Sequence, residues 1–500
     1  MKNARSQGWV ERSAGVGAPV TARPDHTPAD HEDDIETSVN MTQNEPRERL
    51  HNEPNPSFLR RLTVATGGGM FLDGFVFATI AAVIAGTAFS RELGLSPQTL
   101  GLISASTLVG TMVGGPLLGY LTDRVGRKPM FIIDLCIFLV ASLSMLFVTE
   151  AWQMIGLGVV LGVVIGGDYA IGSPLLGEFA PAHNRGRYLA VLEILWNVGY
   201  VVAFFVGFVV LSLVPDAWRF VLASSAIPAG VILLLRHGLP ESPRWLLGKG
   251  RVEDARKVFA EVGVDPAAEG YLQEPETKTQ WRLLFSRAYI GRTAFASLFW
   301  VCIVMPYFAL TFFQSEVLST LGIENAVVGA LLGTMIALLG AGLGWYLIDK
   351  VGRRPLLIVP MFVCGIALTV VAFGDLLGLP VFVNVICFFG YLFFYGIMSI
   401  LCGVYPLEVF PTSVRTSGLG LASGVSRIGA AIATFLVPVG FAAFGLAPVL
   451  LALAAVSFFG GLISVIWAPE TAQKRLTETG ARVVQDAKKM GSETVRHSTA

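Results

Sequence analysis

Charged residues and cysteine are scarce in this 500-residue chain. Lys, Arg, Asp and Glu make up 14% of the residues, and the formal net charge is zero, which argues against a nucleic-acid partner, because phosphate binding needs a concentrated basic surface. Five cysteines without a Cys-x-x-Cys pair argue against disulfides and a zinc site. No glycine-rich loop is followed by Lys-Ser/Thr, and no nucleophile motif is present, so neither ATP-driven pumping nor an enzyme is expected. We therefore predict no metal and no cofactor.

Hydrophobic residues dominate instead, at 53% of the chain, and the mean hydropathy is +0.64. A membrane-spanning helix needs about 20 mostly apolar residues. By that rule the sequence predicts an all-α membrane protein with twelve spans, in two pseudo-symmetric bundles of six helices. The expected spans are 62–89, 98–121, 130–149, 152–176, 188–213, 217–236, 289–315, 326–348, 356–375, 380–406, 416–441 and 445–467.

The polar segments between the spans predict the domain organisation and its sidedness. Basic residues cluster in the loops after even-numbered spans, which by the positive-inside rule places these loops and both termini in the cytoplasm. We expect a multi-pass protein of the plasma (inner) membrane that acts as a monomer in the lipid bilayer. The predicted parts are a disordered N-terminal tail (1–57), a first bundle (58–236), a cytoplasmic loop with short helices (237–287), a second bundle (288–471) and a C-terminal tail (472–500).

Three short motifs occur twice, once in each half, at nearly the same spacing. GYLTDRVGRKP (119–129) recurs as WYLIDKVGRRP (345–355), and Pro240-Glu241-Ser242 recurs as Pro469-Glu470-Thr471. Duplication at such a long period indicates a two-part architecture. The glycines permit tight turns between helices, and the charged positions Asp123, Arg127, Asp349 and Arg353 are predicted to act in gating.

The third repeated motif pairs an acid with a base at the cytoplasmic ends of the spans. Glu178-x-x-Pro-x-x-x-Arg185 recurs as Glu408-x-x-Pro-x-x-x-Arg415. Opposite charges from the two halves attract when they meet, so these residues are predicted to form a latch that closes the cytoplasmic face. A coupling of this kind has a typical strength of about 1 to 3 kcal/mol.

With these motifs the chain resembles a transporter of the major facilitator superfamily. The loop motif after the second span resembles the signature of that superfamily, and PESPRWLL (240–247) resembles its sugar-porter-like branch. The resemblance covers about residues 60 to 475 and implies transport by alternating access. The Gln-Gln pair and the following Asn that are typical of sugar porters have no match in MPYFALTFFQSEV (305–317), and the overall resemblance is to bacterial metabolite/proton symporters.

Polar residues at similar depth in four spans are the candidates for substrate and proton binding. Ionisable groups inside the membrane are costly and are therefore candidates for function. We predict that Arg427 is a fixed cation for an anionic or polar substrate and that Asp73 or Asp168 carries the coupling proton. The alternative is a structural ion pair among these three residues. Further candidates for substrate or proton binding are Tyr169, Glu193, Trp196, Asn197, Tyr307 and Tyr395.

Two pairs of glycines in the second and fourth spans suggest close helix packing rather than phosphate binding. They are Gly110-xxx-Gly114 and Gly158-xxx-Gly162. Small residues at this spacing allow two helices in a membrane to approach closely.

Several functions fit this sequence. The first hypothesis is proton-coupled import of a small organic metabolite, such as an organic acid. Alternatives are transport of a sugar or polyol, drug/proton efflux and, as a different class, a membrane sensor, for which a large folded tail would be expected. The predicted partners are a small-molecule substrate, the proton and the lipid bilayer.

Overall fold

A computed structural model describes residues 55–180, 184–263, 281–287, 289–374, 377–410 and 415–471 of the chain. Both predicted tails lie essentially outside these ranges. Every regular element that the described residues form is helical, and twelve spans are long and apolar enough to cross a membrane. The chain is thus a multi-pass membrane protein, as its hydropathy predicts.

The first half contributes six spans, two of which differ from expectation at their ends. The first begins at Pro56, before the apolar run, because Asn55 caps the helix and proline stands at its first position. The second continues to the glycine turn at Gly126. The helices are α1 (Pro56–Ala85), α2 (Thr87–Glu92), α3 (Pro97–Val125), α4 (Arg127–Ser144), α5 (Ala151–Phe179), α6 (Arg185–Leu213) and, together as the sixth span, α7 (Trp218–Ala223) and α8 (Ala226–Arg236).

Short helices follow, including the one that the apolar spacing of VEDARKVFAEV predicts. They are α9 (Pro243–Gly248), α10 (Val252–Val262) and α11 (Trp281–Leu284). The backbone N–H of Asn55 donates to the carbonyl of Val262 at 2.9 Å, which ties α10 to the start of the first span.

The second half repeats the pattern with six more spans. Its helices are α12 (Ile290–Thr311), α13 (Gln314–Thr320), α14 (Ala326–Val351), α15 (Arg353–Phe373), α16 (Val381–Ser399), α17 (Leu401–Val409), α18 (Arg415–Phe444) and α19 (Leu446–Trp467). Helices α16 and α17 together form the tenth span. The two halves meet where α3 packs on α18 and where α6 packs on α14.

Glycines allow α3 and α5 to pack backbone to backbone, which confirms the predicted close contact. A Cβ atom on Gly114 would lie 2.0 Å from the carbonyl oxygen of Val163, and one on Gly162 would lie 2.1 Å from that of Thr107. Backbone atoms cannot move aside as a side chain can. The two helices would therefore have to separate to accept even a methyl group.

Gly114→Ala is therefore expected to lower stability by about 1 to 3 kcal/mol, the usual cost of overpacking a close contact. Gly156→Ala is the matched control, since a Cβ atom there meets nothing within 4 Å. Thermal unfolding of the detergent-solubilised variants measures the difference. Equal unfolding temperatures for the two variants would contradict the close α3/α5 contact.

Candidate functional site

The two glycine turns at Gly126 and Gly352 define one side of the helix bundle, which we call the hairpin face. Both glycines have positive φ, 108° and 95°, a conformation that L side chains rarely adopt. In the first half, the Glu241 carboxylate accepts hydrogen bonds from the backbone N–H groups of Arg127 and Lys128 at 2.9 and 3.1 Å.

The second half has the same arrangement. The Glu470 carboxylate accepts from the N–H groups of Arg353 and Arg354, each at 3.0 Å. A carboxylate at the N-terminus of a helix satisfies free N–H groups and interacts favourably with the helix dipole. Two of the three repeated motifs thus form one structural unit in each half.

The ion pairs at the hairpin face differ from the predicted latch. Arg353 binds Glu408 at 2.8 Å and Asp349 at 3.1 Å, all within the second half. The contact between the halves is made instead by Arg187, whose Nε lies 3.4 Å from Asp349 and whose carbonyl accepts a hydrogen bond from Trp345.

The latch hypothesis is therefore wrong for Glu408. Its carboxylate binds Arg353 of its own half, since Arg353 directly follows the turn at Gly352 and lies within reach. The side chains of the other predicted latch residues, Glu178, Arg185 and Arg415, lie outside the described residues. Asp123 contributes to the hairpin face through its backbone. Its carbonyl accepts a hydrogen bond from the Trp245 indole at 3.0 Å.

Aromatic side chains join the halves on the opposite side of the membrane. The ring of Phe77 in α1 lies 4.9 Å from Phe308 and 6.2 Å from Phe312, measured between ring centroids. Gly101 in α3 lies directly against the carbonyl of Phe435 in α18. The halves therefore touch on both sides of the protein centre.

On the same side of the protein as these aromatic contacts, an ion pair holds Arg219, a basic residue that follows an odd-numbered span. Arg219 and the Trp218 indole each donate to the Glu92 carboxylate at 2.7 Å. These hydrogen bonds lower the pKa of Glu92, because they favour its ionised form. Arg219 thus stabilises the link between α2 and α7.

A cavity lies between the two halves, with these contacts on either side of it. Its volume is about 20 Å³, which is room for about one water molecule. A metabolite therefore needs the halves to move apart. The cavity is lined by Tyr169, Glu193, Trp196, Trp300, Val304, Phe308, Tyr395, Ser399, Cys402 and Arg427.

Arg427 brings a positive charge to this cavity. It is 3% exposed, and its guanidinium lies 5.3 Å from the Tyr169 ring and 5.4 Å from the Phe308 ring. Its Nε has no hydrogen-bond partner, and within the described ranges no carboxylate lies at salt-bridge distance from it. Glu193, which also lines the cavity, interacts with Arg427 only at longer range.

Asp168 has a different partner from the predicted one. Its carboxylate accepts a hydrogen bond from Arg236 at 2.6 Å, and both side chains are almost completely buried. The Arg236 Nε also donates to the carbonyl of Ala65 at 3.1 Å. The alternative of a structural ion pair thus holds for Asp168, with Arg236 rather than Arg427 as the partner.

Three further predicted residues, Asp73, Asn197 and Tyr307, do not line this cavity. Asp73 is 2% exposed in α1, and its Oδ2 has no hydrogen-bond partner. Asn197 is also buried and donates to the carbonyl of Glu193 at 2.8 Å, so its side chain is occupied within α6. Tyr307 stacks face to face on Tyr395 at 3.7 Å and thus supports the cavity wall from behind.

Sequence reasoning missed Asp134 and Arg236 in the first half and Phe308 in the cavity. Arg236 ends an apolar run, where a basic residue is usually read as the start of a loop. Asp134 stands inside the third span and was detectable as an ionisable residue in a membrane segment. Phe308 carried no signal, because nothing distinguishes it from the other aromatic residues of α12.

Comparison with known proteins agrees with this architecture. The family model described as "Sugar (and other) transporter" matches residues 62–481. The inner membrane metabolite transport protein YgcS of Escherichia coli K12 is 35% identical over 437 residues, which cover 86% of this chain and 96% of YgcS. The putative niacin/nicotinamide transporter NiaP of Bacillus subtilis 168 is 29% identical, with coverage of 76% and 88%.

Solved structures share the fold. The proton:xylose symporter XylE bound to 6-bromo-6-deoxy-D-glucose superposes with a TM-score of 0.73 at 23% identity, covering 85% of this chain and 99% of XylE. The inward open conformation of XylE from E. coli gives a TM-score of 0.69. The duplicated hairpins, the twelve spans and these matches lead to one conclusion: the chain belongs to the sugar (and other) transporter family and is a transporter of the major facilitator superfamily.

Proposed function

We propose that this transporter imports a small organic acid together with protons by alternating access. The observation that carries the proposal is the Arg427 guanidinium, which is buried in the cavity between the halves and is not neutralised there by a paired carboxylate. A buried cation needs an anionic partner, and the carboxylate of a substrate is suitable for this purpose.

The aromatic walls favour a substrate with a flat or apolar body. Tyr169, Trp196, Phe308 and Tyr395 line the same cavity as Arg427. The relatives support an acid of this type, since one is named a niacin transporter in Acinetobacter baylyi and niacin is an aromatic carboxylic acid. Another relative is named a major myo-inositol transporter, so a polyol is the second candidate.

Asp73 is the proposed carrier of the coupling proton. Asp168 has a neutralising partner in Arg236, whereas Asp73 is buried with one carboxylate oxygen unbonded. Removal from water disfavours the ionised form of a carboxyl group, so such a group readily takes up a proton. Asp73 also stands one helical turn after Gly69, which lies against the ion pair of Asp168 and Arg236.

We further propose that the hairpin face is cytoplasmic and that the protein acts as a monomer in the plasma membrane. The basic residues of both hairpins support this orientation by the positive-inside rule. Described residues from both halves of the chain line the cavity together, which supports transport by a monomer.

Uptake into proteoliposomes tests the proposal. The probes are radiolabelled nicotinate, myo-inositol and xylose, each with and without an inward proton gradient. We expect nicotinate or a related carboxylate in a wider panel of acids to accumulate only with the gradient. Gradient-driven accumulation of a neutral sugar or polyol, without any acid, would contradict the proposed substrate class.

A further inference from the structure

We propose that Asp134 is a second proton-binding carboxyl group of this transporter and that Arg236 is shared between Asp134 and Asp168. The inference deepens the proposed proton coupling and rests on it for its role in transport. Proton binding at Asp134 itself is measured without any substrate.

Asp134 lies close to the hairpin face. It stands seven residues after Arg127, the first residue of α4, or about 10 Å along the helix axis at a rise of about 1.5 Å per residue. Its side chain is 2% exposed, and its Oδ1 has no hydrogen-bond partner. A buried carboxyl oxygen without a partner is unfavourable when it is charged.

The Arg236 guanidinium lies beside Asp134. It sits 4.3 Å above the ring of Phe131, which precedes Asp134 by three residues and therefore occupies the same side of α4. Arg236 is the last residue of α8, so its charge enters the bundle from the hairpin face. Its Nη2 binds Asp168, whereas its Nη1 is buried without a partner.

On the side away from Asp134, Gly69 in α1 provides the space for the ion pair of Asp168 and Arg236. A Cβ atom there would lie 1.5 Å from the Asp168 Oδ2 and 2.3 Å from the Arg236 Nη2. Gly69 precedes Asp73 by four residues, one helical turn. The pair of Asp168 and Arg236 is thus enclosed between α1, which carries Asp73, and α4, which carries Asp134.

Counting the buried charges then favours bound protons. The groups concerned are the buried carboxyls of Asp73, Asp134 and Asp168, the guanidinium of Arg236 and, in the second half, that of Arg427. Arg236 neutralises one of the three carboxylates, whereas Arg427 lies at salt-bridge distance from none of them among the described residues. Two ionised carboxylates would remain in a membrane interior, where like charges disfavour one another. One proton on Asp73 and one on Asp134 leave the three carboxyls and Arg236 neutral as a group.

The unbonded Nη1 of Arg236 suggests how the proton leaves Asp134. In the arrangement described, a protonated Asp134 is neutral and Arg236 pairs with Asp168 alone. When the O–H bond of Asp134 gives its proton to water at the hairpin face, the resulting carboxylate is stabilised by the guanidinium, whose fork of donors can serve two carboxylates at once.

Infrared difference spectroscopy of the protein in liposomes tests this proposal. The spectra compare acidic with alkaline buffer and record the C=O stretch of protonated carboxyl groups. We expect a band that disappears with rising pH in the wild type and is absent from Asp134→Asn. In Arg236→Lys the same band should persist to higher pH by at least about one pH unit, because lysine is shorter and lacks the planar fork of donors that lets a guanidinium bind two carboxylates side by side.

Two further variants make the result decisive. Glu253→Gln, on the exposed helix α10, is the control and should leave the spectrum unchanged. Asp134→Glu keeps the carboxyl and should move the band to the frequency of a glutamic acid, which covers the case that Asp134→Asn does not fold. The proposal is overturned if Asp134→Asn retains the wild-type bands, if Asp134→Glu moves no band, or if the Asp134 band does not respond to Arg236→Lys. None of these outcomes depends on uptake of an acid.

Discussion

Arg427→Gln is expected to abolish saturable uptake of an acidic substrate. The variant removes a charge-assisted hydrogen bond inside a cavity that excludes water, and losses of this kind cost about 2 to 5 kcal/mol. This corresponds to a fall in affinity of at least about 30-fold. Arg427→Lys keeps the charge but loses the planar fork of donors, so we expect an intermediate loss.

Uptake of radiolabelled nicotinate, or of the acid that the panel identifies, measures this effect over a range of concentrations. Ile428→Ala is the matched control, since Ile428 is the next residue on α18 and is 44% exposed on the outside of the bundle. If Arg427→Gln imports the acid with wild-type affinity, Arg427 does not bind the substrate. If Arg427→Lys restores no activity and Arg427→Gln unfolds at a lower temperature than the wild type, the role of Arg427 is structural.

Arg236→Gln is expected to cause the largest loss of stability among single substitutions in the first half. It leaves the buried carboxylate of Asp168 without its partner, and breaking a buried ion pair on one side costs about 3 to 5 kcal/mol. Asp168→Asn should cost less, because Arg236 can still interact with the neighbouring Asp134. Thermal unfolding in detergent, monitored by tryptophan fluorescence, compares the variants.

The double variant Asp168→Asn with Arg236→Gln provides the control. It removes both charges together and leaves two neutral side chains, so most of the lost stability should return. Wild-type stability of both single variants would refute the ion pair. The double variant also tests an earlier hypothesis about Asp168, because proton-driven accumulation by a folded double variant would exclude Asp168 as the proton carrier.

The membrane spans and the duplicated motifs were predictable because they depend on local composition. Twenty apolar residues in sequence can satisfy their backbone polar groups in lipid only as a helix, so hydropathy alone locates the spans. Helix ends were less predictable. Pro56 begins the first span before its apolar run, because capping by Asn55 acts independently of hydropathy.

The partners of charged residues were not predictable from sequence. Glu408 was expected to contact the other half, yet it binds Arg353, and the contact between the halves comes from Arg187 and Asp349. The depth of a residue along its helix follows from its sequence position, but its direction around the helix and its neighbours depend on packing. For this reason a depth could be predicted for Arg427, while the pairing of Asp168 with Arg236 could not be foreseen.

The sequence by itself therefore determined that this protein spans the membrane twelve times, consists of two related halves and turns sharply at Gly126 and Gly352. These properties follow from hydrophobicity and from the backbone freedom of glycine, both of which act over short stretches of chain. Only the tertiary structure decided which buried charges are neutralised and which are not. That depends on side chains from α1, α4, α5 and α8 meeting at distances of a few ångströms, where the interaction of charges is strong and water is absent.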